Sequence, residues 1–392
     1  MPLSVPIRRS WGRKVASRSC DREGGWNGRR RRGVGSRVSA RELKLSVLDL
    51  IPVRTGQRSA DAVAATTALA IAADDAGYTR YWLAEHHNMA SVASTNPPVL
   101  IGVLAARTTR IRVGSGGVML PNHAPLVIAE QFAALEASAP GRIDLGIGRA
   151  PGSDPVISAL LQSSGHTSDV DTFPNNVTDI IKLLSPDGAA LSLRGGQTYP
   201  LRATPNADGV PTVWLLGSSD YSARLAAKLG LPYVFAHHFS GEGTAEALRL
   251  YRSQFQPSED AAEPRTLLTA NVVAAATAEE AHALALPQLQ QMARLRTGER
   301  MDALPTVEEA AATTMTAAQD AMIDRMRGMW IIDEADAAAR RLRELAEQFD
   351  VDEIMVSPGA SAHAGDPIDR SPARESTVRL LAERLLAPAL VG

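Results

Sequence analysis

The chain has 392 residues, of which 45% are hydrophobic and 21% charged, the composition of an ordinary globular protein. Its single cysteine, Cys20, excludes an internal disulfide framework, a cysteine zinc site and an iron–sulfur cluster, and fits a reducing cytoplasm. Charged or glycine residues interrupt every apolar stretch well short of the ~18 residues that a membrane span needs. We therefore expect a cytoplasmic protein that does not enter a membrane.

Charge divides the chain into two unlike parts. Residues 1–41 carry eleven arginines and Lys14 against Asp21 and Glu23, a net charge of +10, whereas the remainder has 29 basic and 41 acidic residues. A start so rich in arginine and glycine cannot bury a core, so residues 1–42 are predicted to be a disordered basic extension. A basic patch can hold nucleic acid, but the net charge of −12 on the rest argues against a nucleic-acid partner.

Short apolar runs alternate with amphipathic helical stretches from residue 43 onward. The predicted strands are 43–50, 78–83, 111–113, 142–147, 212–216, 232–235, 267–275 and 353–356. The predicted helices are 59–76, 98–107, 125–137, 222–229, 245–254, 335–348 and 378–387. Eight such units are the number that closes a single (β/α)8 TIM barrel, and a doubly wound open sheet is the alternative.

Two stretches of the chain are additional to the eight strand–helix units of a minimal barrel. Residues 148–175 follow the fourth strand and are rich in loop-forming residues, while residues 277–330 follow the seventh strand and contain additional helix-like segments. Both follow strand ends and so belong to the C-terminal face, where barrel enzymes keep their active sites. We expect them to be substrate-binding insertions of one barrel domain, residues 43–392, rather than separate domains.

The most chemically suggestive segment is Glu85-His86-His87, at the end of the second predicted strand. Adjacent residues on an extended chain point to opposite sides, so His86 and His87 do not aim at one point while the strand persists. This argues against a shared metal, and no metal site is predicted. Both histidines can instead be hydrogen-bonded structural residues, although the end of a barrel strand favours a functional role.

Glycines mark two other strand ends. The segment Gly146 to Gly152 has the spacing G-x-G-x-x-x-G and is interrupted by Pro151, so it is not a dinucleotide fingerprint. Within it Arg149 suits a phosphate or a flavin edge, or else a surface salt bridge. The small residues at 114–117 allow a planar group to approach the backbone, or form only a bulge.

The junction after the fifth strand suits an anion. Ser218, Ser219 and Ser222 lie at the start of a helix, where backbone N–H groups and the helix dipole favour a phosphate. Serine also caps helices for stability alone, which is the alternative. His237 and His238, at the end of the sixth strand, face the same barrel mouth and are candidates for substrate contacts or for packing.

Several segments, in this order, resemble the bacterial luciferase-like flavin monooxygenases: LSVLDLIP, WLAEHHN, RIRVGSGGVMLPNHAPLVIAEQFAALE, PGRIDLGIGRAPG and GSSDYSARLAAKLGLPYVFAHHF. The similarity covers most of residues 43–392. It implies a (β/α)8 barrel and a two-component monooxygenase. In that family reduced FMN, supplied by a flavin reductase, reacts with O2 to give a C4a-hydroperoxyflavin that oxygenates a lipophilic organic substrate.

The resemblance also implies roles for individual residues near the flavin ring. His86 matches the histidine that handles the peroxyflavin, and Glu85 matches a residue beside the flavin. Gly116 and Gly117 match the small pair under the isoalloxazine ring, where the family often has a non-proline cis bond. His87 joins His237 and His238 as a candidate for substrate contact.

At the phosphate end, Arg149 matches an arginine near the cofactor phosphate, and the phosphate-binding turn is matched by Ser218, Ser219, Tyr221 and Ser222. Glu130 falls where family members pair their subunits, which implies a homodimer.

Two other functions remain open at this point. Some members of the wider superfamily use the deazaflavin F420 as a hydride carrier, and the motifs do not separate them from FMN enzymes. A non-catalytic flavin-binding subunit is the second alternative, and the intact Glu85-His86-His87 argues against it because such a subunit has no chemical need for it.

Overall fold

The computed structural model describes residues 43–150, 152, 154–163, 171–193, 196–259 and 261–386. The basic extension predicted at residues 1–42 lies outside the described residues, as do parts of the insertion at 148–175. Within the described ranges, none of the helices combines the length and the apolar character needed to cross a bilayer.

Among the residues that the structure describes, the strands occupy eleven segments. They are Lys44–Asp49 (β1), Arg80–Leu83 (β2), Arg112–Met119 (β3), Ile143–Gly148 (β4), Ala189–Ser192 (β5), Thr198–Leu201 (β6), Thr212–Gly217 (β7), Tyr233–Phe235 (β8), Thr266–Ala275 (β9), Ile331–Glu334 (β10) and Glu353–Pro358 (β11). Eight of them pair in parallel in the cyclic order β1, β2, β3, β4, β7, β8, β9, β11, and β11 returns to β1. This closure confirms the predicted (β/α)8 barrel and excludes the open sheet.

Twelve helices are described along the chain. They are Ser59–Asp75 (α1), Pro97–Ala105 (α2), Pro125–Ser138 (α3), Pro155–Gln162 (α4), Phe173–Leu184 (α5), Asp220–Leu229 (α6), Thr244–Gln254 (α7), Ala278–Arg296 (α8), Val307–Ala311 (α9), Ala317–Met329 (α10), Ala335–Phe349 (α11) and Pro372–Leu385 (α12). Each of the seven predicted helices is found, with its ends shifted by a few residues.

The sequence interpretation missed helices α4 and α5 and strands β5, β6 and β10. Helix α5 begins at Phe173, inside the stretch interpreted as loop, and it buries Phe173, Val177 and Ile180 at helical spacing. Strands β5 and β6 form a separate antiparallel hairpin. Strand β10 pairs with residues Val272–Ala275 of β9, beyond the part of β9 that pairs with β8. The long insertion is thereby attached to the upper end of a barrel strand.

Large and small side chains alternate inside the barrel. Trp82 and Trp214 meet edge to face, with ring centroids 5.5 Å apart. Trp82 has room because the neighbouring strand carries glycine: a Cβ on Gly114 would lie 2.8 Å from the Trp82 Nε1 and one on Gly116 3.2 Å from its Cβ. Packing of this kind leaves no space for added side-chain atoms.

The N-terminal end of the barrel is closed by buried ion pairs. Arg80 joins Asp144, at 2.8 Å from Nη1, to Glu353, at 2.8 Å from Nε. Asp144 also accepts hydrogen bonds from Trp82 and from the partly exposed Arg112. Each buried carboxylate therefore has a cationic partner, which buried charges require.

Candidate active site

A cavity of about 400 Å³ opens among the C-terminal ends of the barrel strands. This volume is within the range of small-molecule sites, and the position is where barrel enzymes bind substrates. Of the predicted site residues, eight line the cavity: His86, Gly116, Gly117, Arg149, Ser218, Ser219, Ser222 and His238. Glu85, His87, Tyr221 and His237 do not line it, and each has a contact of its own elsewhere.

One wall of the cavity is backbone. The peptide bond between Gly116 and Gly117 is cis, as the resemblance implies. A Cβ on Gly116 would lie 2.6 Å from the Leu48 Cδ1, and one on Gly117 would lie 2.8 Å from the Gly146 carbonyl oxygen. The pairing of β3 with β4 shifts register at this point, as a bulge does. Packing within the protein therefore requires glycine at both positions, and this wall presents backbone without side chains to the cavity.

A second part of the cavity is built for an anion. Ser218 and Ser219 are exposed at the N-terminus of α6, and Ser222 lies in its first turn. The close approach of β7 to α6 requires glycine at 217, because a Cβ there would lie 1.9 Å from the Ser222 Oγ. Free N–H groups, hydroxyls and the helix dipole together favour a phosphate at this end.

Arg149 and Tyr221 extend the same anion site. The Arg149 guanidinium carbon lies 4.1 Å from the centroid of the Tyr221 ring, a cation–π contact. Tyr221 does not line the cavity, so it contributes by holding Arg149. Stacking fixes the plane of the guanidinium while leaving its N–H donors available.

Glu85 is a buried anchor rather than a cavity residue. Its Oε1 accepts hydrogen bonds from Nε2 of His87 and of His123, both at 2.8 Å, and its Oε2 accepts one from the Met119 N–H at 2.9 Å. Burial by itself raises the pKa of Glu85, but these hydrogen bonds outweigh it and lower the pKa to about 2. The carboxylate is charged and joins the ends of β2 and β3.

This cluster shows where the side chain of His87 lies. His87 is turned toward Glu85 and not toward the cavity, in agreement with the alternation of adjacent side chains. His123 was missed, because it lies 38 residues from Glu85 in a short turn with no local chemical signal. Among the described residues, no group of three or more His, Cys, Asp or Glu is placed to hold a metal ion.

His86 presents a defined ring nitrogen to the cavity. Its Nδ1 lies 3.3 Å from the Gly152 carbonyl oxygen, which only accepts, so Nδ1 carries the hydrogen and Nε2 is the bare nitrogen of the neutral ring. Burial lowers the pKa of His86 and favours this neutral form. Nε2 has no partner among the described residues, so it can accept a proton from a bound group.

His238 is arranged like His86: its Nδ1 bonds within the protein, and the residue lines the cavity. Its Nδ1 lies 2.5 Å from the Thr269 Oγ1, whose own hydrogen is directed to the Phe235 carbonyl at 3.4 Å. Burial and the nearby His237 and His86 lower the pKa of His238 to about 4, so the ring is neutral near pH 7. His238 lines the cavity and keeps its place as a candidate for substrate contact.

His237 faces away from this cavity. Its Nδ1 lies 2.8 Å from the Thr244 Oγ1, and its ring meets Phe349 edge to face at 5.3 Å. His237 is not among the described residues that line the cavity, so the structure favours a packing role for it.

The long insertion supplies the remaining wall, which is mainly apolar. Residues of the insertion that line the cavity are Met292, Met301, Met326 and Trp330, together with the polar Gln288, Gln291 and Arg296. The insertion at 277–330 thus contributes directly to the chamber, as a substrate-binding segment must.

Comparison with known proteins gives the family. The model of the luciferase-like monooxygenases matches residues 43–352. A luciferase-like monooxygenase of Escherichia coli strain K12 is 40% identical over 82% of this chain and 92% of its own length. The N-acetyl-S-alkylcysteine monooxygenase of Bacillus subtilis is 32% identical over 88% of this chain and 99% of its own length. The chain belongs to the luciferase-like monooxygenase family and is an enzyme, a monooxygenase of the flavin type.

Solved structures share the fold. The crystal structure of apo-MsnO8 superposes with a TM-score of 0.74 at 32% identity, covering 88% of this chain and 98% of that one. More distant relatives, alike in fold alone, include a type II Baeyer–Villiger monooxygenase from Pseudomonas putida in complex with FMN, with a TM-score of 0.63 at 18% identity. An F420-dependent secondary alcohol dehydrogenase has a TM-score of 0.59 at 13% identity. Both kinds of cofactor therefore occur on this fold.

Proposed function

We propose that the protein is the oxygenase of a two-component, FMN-dependent monooxygenase that oxygenates a lipophilic organic substrate. The observation that carries the proposal is the joint occurrence, in one cavity, of the glycine wall at Gly116 and Gly117 and the anion site at the start of α6. A flat ring system joined to a phosphate fits both parts at once. FMN has this combination of groups.

The residues present fit the cofactor on physical grounds. Ser218, Ser219 and Ser222 would hold the phosphate together with Arg149, whose guanidinium is held by Tyr221. Gly116 and Gly117 would lie under the ring, where any Cβ would meet Leu48 or the Gly146 backbone. When bound, reduced FMN supplies the electrons that activate O2, and a flavin reductase is the partner expected to deliver it.

The chain itself supplies proton handling and alignment. The bare Nε2 of His86 accepts or returns a proton at the cavity wall, and Gly152 fixes the ring through Nδ1. Glu85 does not touch the cavity; it holds the backbone of Met119 and so sets the position of the β3 end. We assign Glu85 as a positioning residue and His86 as the catalytic residue.

Exclusion of water is the second task of the protein. Met301, Met326 and Trp330 cover the cavity with apolar surface, and the buried fraction of Met326 and Trp330 is above nine-tenths. An apolar cover that excludes bulk water would keep O2 from being reduced to hydrogen peroxide without oxygenation of the substrate, so it supports a monooxygenase.

The deciding experiment is rapid mixing of anaerobically reduced FMN and protein with oxygenated buffer. We expect the visible absorbance of oxidised flavin to return later than it does for free reduced FMN. In His86→Ala we expect this delay to shorten by about tenfold or more, because the imidazole that holds a proton at the cavity wall is lost. His282→Ala, which changes an exposed histidine of α8, is the matched control and keeps the delay.

Two outcomes would overturn the proposal. Reoxidation indistinguishable from that of free reduced FMN, together with tight binding of reduced F420, would make the protein a deazaflavin oxidoreductase. The same reoxidation with FMN bound, and no consumption of O2 beyond that of the reductase alone, would make it a non-catalytic flavin-binding subunit.

We also propose a homodimer that pairs through α2 and α3. Both helices expose apolar side chains, with 64% of the Val99 surface and 49% of the Val127 surface accessible. Glu130 lies on the same helix as Val127 and accepts a hydrogen bond from Thr204 within the chain. Light scattering should give the mass of a dimer, and Val99→Asp with Val127→Asp should give a monomer; a monomeric wild type would contradict the pairing.

A further inference from the structure

One face of α8 lines the cavity with three different kinds of side chain. Gln288, Met292 and Arg296 recur every fourth residue, and all three are cavity residues. Residues four apart lie on one face of a helix, so the three form a row of roughly 12 Å at 1.5 Å per residue. The row runs from an amide to a guanidinium, with a thioether between them.

Apolar side chains make up much of the lining around this row. Methionines and a tryptophan that also line the chamber are Met119, Met301, Met326, Trp330 and Met355. Methionine is flexible and polarisable, and it adapts to apolar groups of irregular shape. Arg296, in contrast, is exposed at the C-terminal end of α8, so its charge lies at the mouth.

The other charged groups of the cavity have defined partners. Asp49 and Arg374 form a buried ion pair at 2.6 Å, and Arg149 stacks on Tyr221 beside the anion site at α6. Apart from Asp49, no carboxylate of the described residues lines the cavity. The chamber therefore has an excess of positive charge.

Among the described residues, Arg296 is a cavity cation without a carboxylate partner, as is Arg149, which lies beside the anion site at α6. The Arg296 Nη2 donates to the carbonyl oxygen of Phe239 at 3.3 Å, and Arg296 forms no ion pair with a carboxylate in the described part of the chain. A guanidinium has five N–H donors in a planar fork, which matches the two oxygens of a carboxylate. One contact to a carbonyl leaves most of these donors directed to solvent or to a ligand.

We propose that the substrate is a lipophilic carboxylate whose carboxylate binds Arg296 at the cavity mouth while its apolar part occupies the methionine-lined chamber. The inference rests on the proposed function, because it takes this cavity as the place where the substrate of the monooxygenase binds. It makes Arg296 a residue that determines specificity.

The test is calorimetric binding of decanoate and of decanamide, which share a chain and differ in charge. Wild-type protein should bind decanoate about tenfold more tightly or better, as a charge-assisted contact implies. Arg296→Gln should lose this preference and Arg296→Lys should keep part of it. Arg294→Gln is the matched control: Arg294 lies on the same helix, does not line the cavity and faces Glu299, so the preference should persist.

Equal affinities of the wild type for the two probes, or a preference that survives in Arg296→Gln, would overturn the inference. A structural role of Arg296 through Phe239 would weaken both probes alike and would not change their ratio. FMN binding, measured on the same variants by fluorescence quenching, separates the two proposals. Wild-type protein that prefers decanoate without binding FMN would refute the proposed cofactor, whereas FMN binding without the preference would refute only the carboxylate site.

Discussion

The two ends of the barrel treat polar groups in opposite ways. At the N-terminal end, Arg80 is buried between Asp144 and Glu353, and each charged atom has a protein partner. At the C-terminal end, His86 and His238 use only Nδ1 within the protein, and Nε2 of each has no partner among the described residues. The ion pairs of the first end satisfy one another, whereas these two Nε2 atoms are left available to a ligand.

This difference predicts that the N-terminal end of the barrel contributes mainly to stability and the C-terminal end mainly to function. Removal of one partner from a buried ion pair lowers the free energy of unfolding strongly, because the remaining charge stays buried without a counter-charge. Side chains at the mouth that await a ligand can be changed at little cost to folding, and their loss appears in binding or rate. Variants at the two ends should therefore fail in different measurements.

The largest effect is expected at the closed end. Arg80→Met leaves the Glu353 carboxylate buried without its cation, which should lower the free energy of unfolding by about 3–5 kcal/mol. Urea unfolding followed by circular dichroism measures this loss. FMN affinity of the folded protein should stay at the wild-type value.

The control for that variant is an ion pair on the surface. Arg249→Met removes the ion-pair partner of Glu246, and because these two side chains are 64% and 56% exposed, the loss should be a small fraction of that in Arg80→Met. Losses of equal size in the two variants would contradict the prediction that the buried ion pairs at the N-terminal end of the barrel contribute more to stability than an exposed pair does.

The next effect concerns pH and His238. Because its pKa in the folded state, about 4, is below the usual 6.5, the folded protein binds this proton less readily than the unfolded chain does. Its contribution to stability is complete above pH 6.5 and is lost as the pH falls toward 4, by at most about 3 kcal/mol. His238→Asn should lose less stability than the wild type between these pH values, as measured by thermal unfolding.

Identical pH profiles of the two proteins would show that His238 is not held neutral by the fold. Above pH 7 the two should differ only by the contact with Thr269.

The smallest effect belongs to the anion site. Ser218→Ala removes an exposed hydroxyl at the start of α6 and should weaken FMN about tenfold, as expected for one hydrogen bond to a charged group. Riboflavin, which has no phosphate, should bind both proteins equally. Ser253→Ala, an exposed serine of α7 outside the cavity, should change neither affinity. Equal weakening of FMN and riboflavin would place Ser218 away from the phosphate.

Much of the fold could be predicted from periodicity alone. Barrel strands such as β7 and β11 are short apolar runs between helices, and their parallel pairing follows from the crossovers. Six of the eight candidates that line the cavity lie within a few residues after a strand end, whereas Gly116 and Gly117 lie inside β3. In a barrel these ends meet at one face.

What sequence reasoning missed depends on contacts between distant segments. His123 acquires its role only when the ends of β2 and β3 bring it to Glu85. His237 and His238 are neighbours of the same type, and only the turn after β8 directs one to Thr244 and the other to the cavity. Helix α5 is a different case, because its apolar spacing from Phe173 was visible and was outweighed by the loop-forming residues before it.

The length of β9 has a consequence for how such enzymes can diverge. Its first residues pair with β8 inside the barrel, and its last four pair with β10, which ends the insertion. The segment that contains α8 therefore begins and ends at two paired strands, β9 and β10. The glycine wall and the start of α6 lie on other strands and helices of the barrel. Exchange of residues 277–330 between relatives should transfer preference for one compound or another and leave the flavin half of the enzyme intact.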